Sequence, residues 1–379
     1  GFQGNQGFQG NQGYQGNQGY QGFQGSAGST GPGFAYEKTA WVDPNGLTVL
    51  GGALLQRFDK PFSTLAECIS TIESSGSGTN FTVIVMAGDY NEDQITISGN
   101  SKGLTVILQG GVRIDMNAGQ YIEIKDDSVV QWVGQQKNLV RDVGTNSSTN
   151  DLSGCIMRSA TNSNLFRYTN TGSKATFAGF YNLTMASRYS GEDPSNSLHT
   201  IDVGSSDMKG ITLRFDNCFL ASTFNSGFTP NIMYRTFPAD SQVEAIDTVF
   251  LYGLTAIDMT SMGSAEFTNM NIRDCLFYAK GGDEGSSANT YGHIELTQPA
   301  NTTSKITLTS NKFYSTNDSG AKIGMVYNTN SATFKQVEID AASTNVHNKA
   351  GTLNCTYLVA LNIPLVIGQT LNQPGDFNL

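Results

Sequence analysis

Charge is scarce in this chain. Asp, Glu, Lys and Arg make up 14% of its 379 residues, and 22 basic residues face 32 acidic ones, for a net charge of −10. A nucleic-acid partner calls for a basic face, and an anionic membrane for a basic patch; this balance suits neither. Long apolar runs are missing too. The most apolar late stretch, 357–368, is interrupted by Asn362 and Pro364 and is too short to span a bilayer. Cysteine is limited to Cys68, Cys155, Cys218, Cys275 and Cys355. The number is odd, the spacing irregular, and no C-x-x-C or Cys/His pattern occurs. Neither a disulfide scaffold nor a metal site is expected, and the thiols read as buried and free. No cofactor is called for.

What is present begins at once. Glycine occupies every third position: Gly1, Gly4, Gly7, Gly10, Gly13, Gly16, Gly19, Gly22, Gly25, Gly28 and Gly31. Such a Gly-X-Y register marks a collagen triple helix, where only glycine fits the axis shared by three chains. It predicts a homotrimer with a stalk over 1–33. Asn and aromatic residues fill X, Gln fills Y as far as Gln24, and Pro32 is the segment's one proline. The strands are therefore not pre-set to the polyproline conformation. Gly/Gln/Asn/Tyr repeats also occur in disordered, prion-like segments, so that reading competes.

In a triple helix the X and Y side chains point outward. Phe2, Phe8, Tyr14, Tyr20 and Phe23 would then be displayed on an uncharged rod. Burying one such side chain is worth ~1.5–3 kcal/mol, so three chains offer a gross stabilisation of roughly 20–45 kcal/mol as an upper limit. These five residues form the expected assembly interface, with the rod of one trimer docking into the next. A heterologous contact of that kind that does not close into a ring builds a filament.

Beyond the stalk the pattern changes. Thr64 and Glu67 make a capping box, and Leu65, Cys68, Ile69 and Ile72 recur at helical spacing, with an end expected near 74–78. Strand signals follow at 81–86, 94–97, 104–108, 112–116 and 121–124, separated by turns such as 87–91 and 99–103. Short, closely spaced strands without intervening helices argue for an all-β solenoid. Five later segments share an Asn, Asp or Thr two residues before an apolar pair. The anchors are Asn182, Asn217, Thr248, Asp274 and Asn311, separated by 35, 31, 26 and 37 residues. They are expected to stack as rung corners, with Asn side chains bonding along the stack. Cys218 and Cys275 each follow an anchor but flank the Thr248 rung. At ~4.8 Å per rung they stand about 9–10 Å apart, too far for a disulfide.

The stretches 42–46, 58–65 and 83–92 resemble the entry of right-handed parallel β-helix proteins of the pectin-lyase-like fold. In those a short helix covers the open first rung and a Gly-x-Tyr-x-Glu turn follows the first strand; here it reads Gly88-Asp-Tyr90-Asn-Glu92. A collagen-like stalk joined to such a body resembles the fibre and spike proteins of large DNA viruses and bacteriophages. The resemblance implies a trimeric surface fibre, extracellular or on a virion, and names no ligand.

That fold also hosts polysaccharide lyases and hydrolases, which need paired carboxylates, or carboxylates with calcium and a basic residue. Of the polygalacturonase-like motifs the chain has only Asp126-Asp127 and part of Gly-His-Gly at Gly292-His293. The first reads as a turn and the second as a strand edge. His199 and His347 stand alone. The pairs Glu192-Asp193 and Asp283-Glu284 lack the spacing of a calcium loop and read as solvated. No catalytic role is assigned to any residue.

The expected architecture is all-β: a homotrimeric right-handed parallel β-helix with an N-terminal collagen-like triple helix. Its parts are a stalk (1–33), a linker and capping helix (34–80), a β-helix body (81–345) and a C-terminal cap or tail (346–379). The expected role is a structural subunit polymerising head to tail. The alternative is a terminal spike whose loop aromatics, such as Tyr189 and Tyr291, bind a host glycan.

Overall fold

The computed structural model describes residues 1, 38–46, 61–75, 80–98, 103–125, 128–135, 154–161, 163–169, 176–189, 200–203, 210–224, 233–234, 241–252, 256–259, 269–279, 292–296, 305–315, 323–327, 331–340, 346–348, 352–361 and 371–372, some of them by backbone alone. The chain divides into two compact units, Gly1–Phe34 and Ala35–Leu379. The expected stalk glycines after Gly1 and all five stalk aromatics lie outside the described residues. So do Asp126-Asp127, His199, Tyr291 and the two acidic pairs, together with the side chains of Tyr189, His293, His347 and Cys355.

Among its described residues the second unit is mostly strands, and the strand pairs there are parallel. Three sheets, of twelve, eight and nine strands, are visited in turn. The first complete coil runs Phe81–Val85, Gly88–Glu92, Ile95–Ile97; the next runs Leu104–Leu108, Val112–Met116, Ile122–Ile124. Each strand pairs with its counterpart one coil later, as in Val83↔Val106, Tyr90↔Ile114 and Ile95↔Ile122. Coils therefore stack at the inter-strand spacing of about 4.8 Å. Pairing in the first sheet continues past the eighth coil through Ser331–Asp340 and Thr352–Leu361.

Alternation explains why these residues form strands. Phe81–Val85 and Leu104–Leu108 both bury every second side chain. Inward columns then run from coil to coil. In the first sheet one column is Ala40, Val83, Val106, Trp132, Phe180, Phe215, Ala245, Ile272 and Leu308, all fully buried. Phe180 stacks on Phe215 at 5.2 Å, and Phe250 stacks on Phe277 at 4.6 Å in the second sheet. Each such pair adds ~0.5–1.5 kcal/mol beyond its buried area.

Two expectations change. The segment 87–91, read as a turn, lies largely within the strand Gly88–Glu92, which opens the second sheet. Its polar residues hid it: Asp89 and Asn91 face outward, while Tyr90 and Glu92 are buried. Within the stretch taken as linker, Thr39–Val42 adds a strand before the first coil, pairing with Phe81–Val85.

Candidate assembly surfaces and the corner ladder

The helix Leu65–Ser74 follows the expected pattern. Thr64 caps it, accepting from the Glu67 N–H at 3.2 Å, and Leu65, Cys68, Ile69 and Ile72 are buried. The first two helix donors have a partner that spacing did not reveal. Glu92 accepts from the Leu65 N–H at 2.7 Å and the Ala66 N–H at 2.9 Å. The Tyr90 hydroxyl donates to the Met86 carbonyl at 2.7 Å and lies 3.2 Å from the Val42 carbonyl of the entry strand. The Tyr-x-Glu pair thus pins the helix and the entry strand to the first coil. Burial raises the Glu92 carboxyl above the usual range, and the two helix N–H groups oppose the shift by favouring its charged form.

Between the first and second sheets, five coils turn on one residue in the left-handed region: Asn182 (φ 55°), Asn217 (52°), Asp247 (47°), Asp274 (55°) and Ser310 (57°). Strand register aligns these five, since Tyr181 pairs with Asp216, Asp216 with Ile246, Ile246 with Arg273 and Arg273 with Thr309. Asn182, Asn217 and Asp274 occupy the left-handed position of their coils, and Asn217 Nδ2 donates to Asn182 Oδ1 at 2.7 Å. Thr248 and Asn311 stand one position later. The corner needs positive φ, which Asn and Asp tolerate and a β-branched Thr resists.

The later position has its own logic. Its column is Cys155, Leu183, Cys218, Thr248, Cys275 and Asn311, all buried. The thiols and their polar equivalents do one job there: they donate to backbone carbonyls near the turn. Cys155 Sγ donates to the Leu108 and Gln109 carbonyls, and Cys218 Sγ to that of Phe180 at 3.3 Å. Cys275 Sγ donates to the Arg273 carbonyl, Thr248 Oγ1 to that of Ile246, and Asn311 Nδ2 to that of Ile272. Thr248 and Asn311 also accept from the Cys218 and Cys275 N–H groups one coil earlier. Cys68, Cys218 and Cys275 are free thiols, and they and Cys155 are buried. Burial pushes the Cys218 and Cys275 thiols up to about 12 and raises Cys68 as well. Thiols so disposed are packing groups, not nucleophiles.

The three outer faces differ. On the first sheet, Trp41, Ile84, Ile107, Val133 and Tyr181 form one outward, half-buried column. Later coils of that face carry Arg214, 3.6 Å from Glu244 and 3.8 Å from Asp216. On the second sheet, a bidentate Arg158–Asp115 pair, with both bonds at 2.5 Å, leads into an apolar cluster of Ala186, Phe219, Ala221 and Leu251. The third sheet presents Thr96, Glu123, Arg167 and Asp202 in one column. An open hollow of about 440 Å³ lies at the corner, lined by Asp274, Cys275, Leu276, Ser310 and Lys312. Among the described residues, no group of three His, Cys, Asp or Glu is placed to hold a metal ion, and no helix is long and apolar enough to cross a membrane.

No protein-family model, curated protein or solved structure matches the chain. Among the described residues the features that stand out are the outer faces of the three sheets. The outward column of the first sheet was missed in the sequence. Its signal was there: in 81–85 and 104–108 an isoleucine sits at the outward position where half-exposed strands place a polar residue.

Proposed function

We propose that this chain is a structural subunit of an extracellular or virion-surface fibre. It acts as a homotrimer whose bodies are right-handed parallel β-helices and whose first 33 residues wind into a collagen-like triple helix. The observation that carries this reading is the unbroken glycine register ahead of a stack of parallel coils. The register requires three chains, and a coil stack is a rigid, extensible shaft. Phe2, Phe8, Tyr14, Tyr20 and Phe23 hold the stalk of one trimer in the next, giving a head-to-tail polymer. The partner is the protein itself. No enzymatic activity, cofactor, nucleic acid or membrane insertion belongs to this reading.

Electron microscopy of the full-length chain beside a chain lacking residues 1–33 tests it. Filaments from the first and discrete particles from the second are expected. Discrete trimers from both would overturn polymerisation and leave a terminal spike, to be probed with host-type glycans.

A further inference from the structure

We infer that the outer face of the first sheet, over its first five strands, is the surface on which a second copy of this chain docks. The inference rests on the trimer reading above and adds which face meets which.

Those strands are Thr39–Val42, Phe81–Val85, Leu104–Leu108, Val129–Gly134 and Thr176–Tyr181. They contain no Asp, Glu, Lys or Arg. Every one of the next four contains at least one: Ile211–Asp216, Gln242–Ile246, Asn269–Arg273 and Lys305–Thr309. The outward column Trp41, Ile84, Ile107, Val133 and Tyr181 spans about 19 Å at the rise of one coil per strand spacing. Beside it runs Thr39, Thr82, Thr105 and Gln131, also uncharged. Next to these, Val129 is 40% exposed, the one large apolar side chain so exposed among the described residues, and it pairs with Phe177. A strand with one wet face normally alternates apolar and polar residues; here both faces are apolar or neutral.

The second sheet shows the contrast. Its outward cluster is already covered within one chain, with Phe219 at 3% and Leu251 at 8% exposure. It calls for no partner. The first-sheet column is only half covered.

Three considerations name the occupant. Each chain carries −10, so three copies repel except where charge is absent, and this face is such a place. The strand Thr39–Val42 begins eight residues after Gly31, the last glycine of the register. Chains wound together over that register deliver three copies of this strand on short tethers, at an effective concentration on the order of millimolar. A patch this size, a few hundred Å², is smaller than a free-standing interface of about 800 Å² per partner. Tethering offsets that shortfall.

The two tryptophans provide the test. Trp132 is fully buried in the coil interior, so a soluble quencher such as acrylamide reports Trp41. The full-length chain should sediment as a trimer with Trp41 shielded. The double variant Ile84→Glu/Ile107→Glu, altered only at outward positions, should keep its circular dichroism while Trp41 becomes several-fold more quenchable and its emission moves to longer wavelength. Thr212→Glu/Gln242→Glu, on the charged half of the same face, should leave Trp41 unchanged. A trimer whose Trp41 is as accessible as in the double variant overturns the docking face and leaves the trimer reading standing. A monomer overturns both. If a chain with Phe2, Phe8, Tyr14, Tyr20 and Phe23 changed to Ser still sediments as a trimer but exposes Trp41, a neighbouring stalk is the occupant and the inference fails.

Discussion

The coils starting at Phe81 and Leu104 leave the first sheet through short turns into Gly88 and past Gly111, both at positive φ. The coils starting at Thr176, Ile211, Gln242, Asn269 and Lys305 turn instead on a single left-handed Asn, Asp or Ser. A glycine turn solves only its own backbone problem. An Asn or Asp corner, followed by an inward donor, also ties its coil to the neighbours: Asn217 reaches Asn182, and the Cys275 N–H reaches Asn311. The early coils are also bonded to their neighbours, as Asn117 Nδ2 is to Asp93 Oδ1, and they have a further tie from outside the stack in the helix that Glu92 and Tyr90 hold in place. One end thus has a lid in addition to the stitching between coils.

This contrast can be broken most forcefully in the aromatic stack of the late coils. Phe215→Ala removes the ring lying on Phe180 and should cost about 3–5 kcal/mol. Because coils contact mainly their neighbours, the loss should be local. Hydrogen exchange should rise around 176–189 and 211–224 before it rises at 81–97.

At the lid, Glu92→Ala leaves two helix N–H groups without their acceptor and should cost about 2–4 kcal/mol, read by thermal melting. Acid titration sharpens the point. The folded-state pKa of Glu92 is raised by burial, so the native state holds this proton more tightly than the unfolded chain. Stability from this group is fully present below the ordinary carboxylate pKa and is lost as pH rises through the raised value. Exchange-resolved stability of the helix Leu65–Ser74 should therefore increase on mild acidification, and Glu92→Gln should abolish that dependence. An unchanged profile in the Gln variant would assign the effect elsewhere.

Smaller still is the corner itself. Asn217→Val places a β-branched residue at φ 52° and should cost about 1–2 kcal/mol, whereas Asn217→Gly should cost far less. Equal costs would mean that the side-chain bond to Asn182, not the backbone, governs the turn. Smallest in energy are the thiols. Cys218 and Cys275, held up at about 12, should resist alkylation at pH 8 in the folded protein, with peptide-resolved labelling following unfolding. Prompt labelling of either would contradict its burial.

Much of this was legible in the sequence, because two signals agree along the early chain. The helix announced itself through Thr64 and the spacing of Leu65, Cys68, Ile69 and Ile72. The strands at 81–85, 104–108 and 112–116 announced themselves by alternation. Elsewhere local pattern could not decide. In Asp247-Thr248 and Ser310-Asn311 two adjacent residues compete for the corner, and only pairing between coils shows which one takes positive φ. Glu92 looked like part of a turn because its partners lie 26 and 27 residues earlier. The apolar outer column was visible residue by residue, but its continuity is a property of register between strands 23 or more residues apart.

The helix Leu65–Ser74 packs against Thr39–Val42 and Ile95–Ile97, where the stack begins. An uncovered end of a parallel coil stack is a template: its bare N–H and C=O groups would recruit any extended chain, and growth there would be amyloid-like and hard to reverse. The helix stoppers that template. On the proposed reading of this chain as a fibre subunit, joining at this end is left to side chains and geometry, and an assembly joined in that way can be proofread, halted and taken apart.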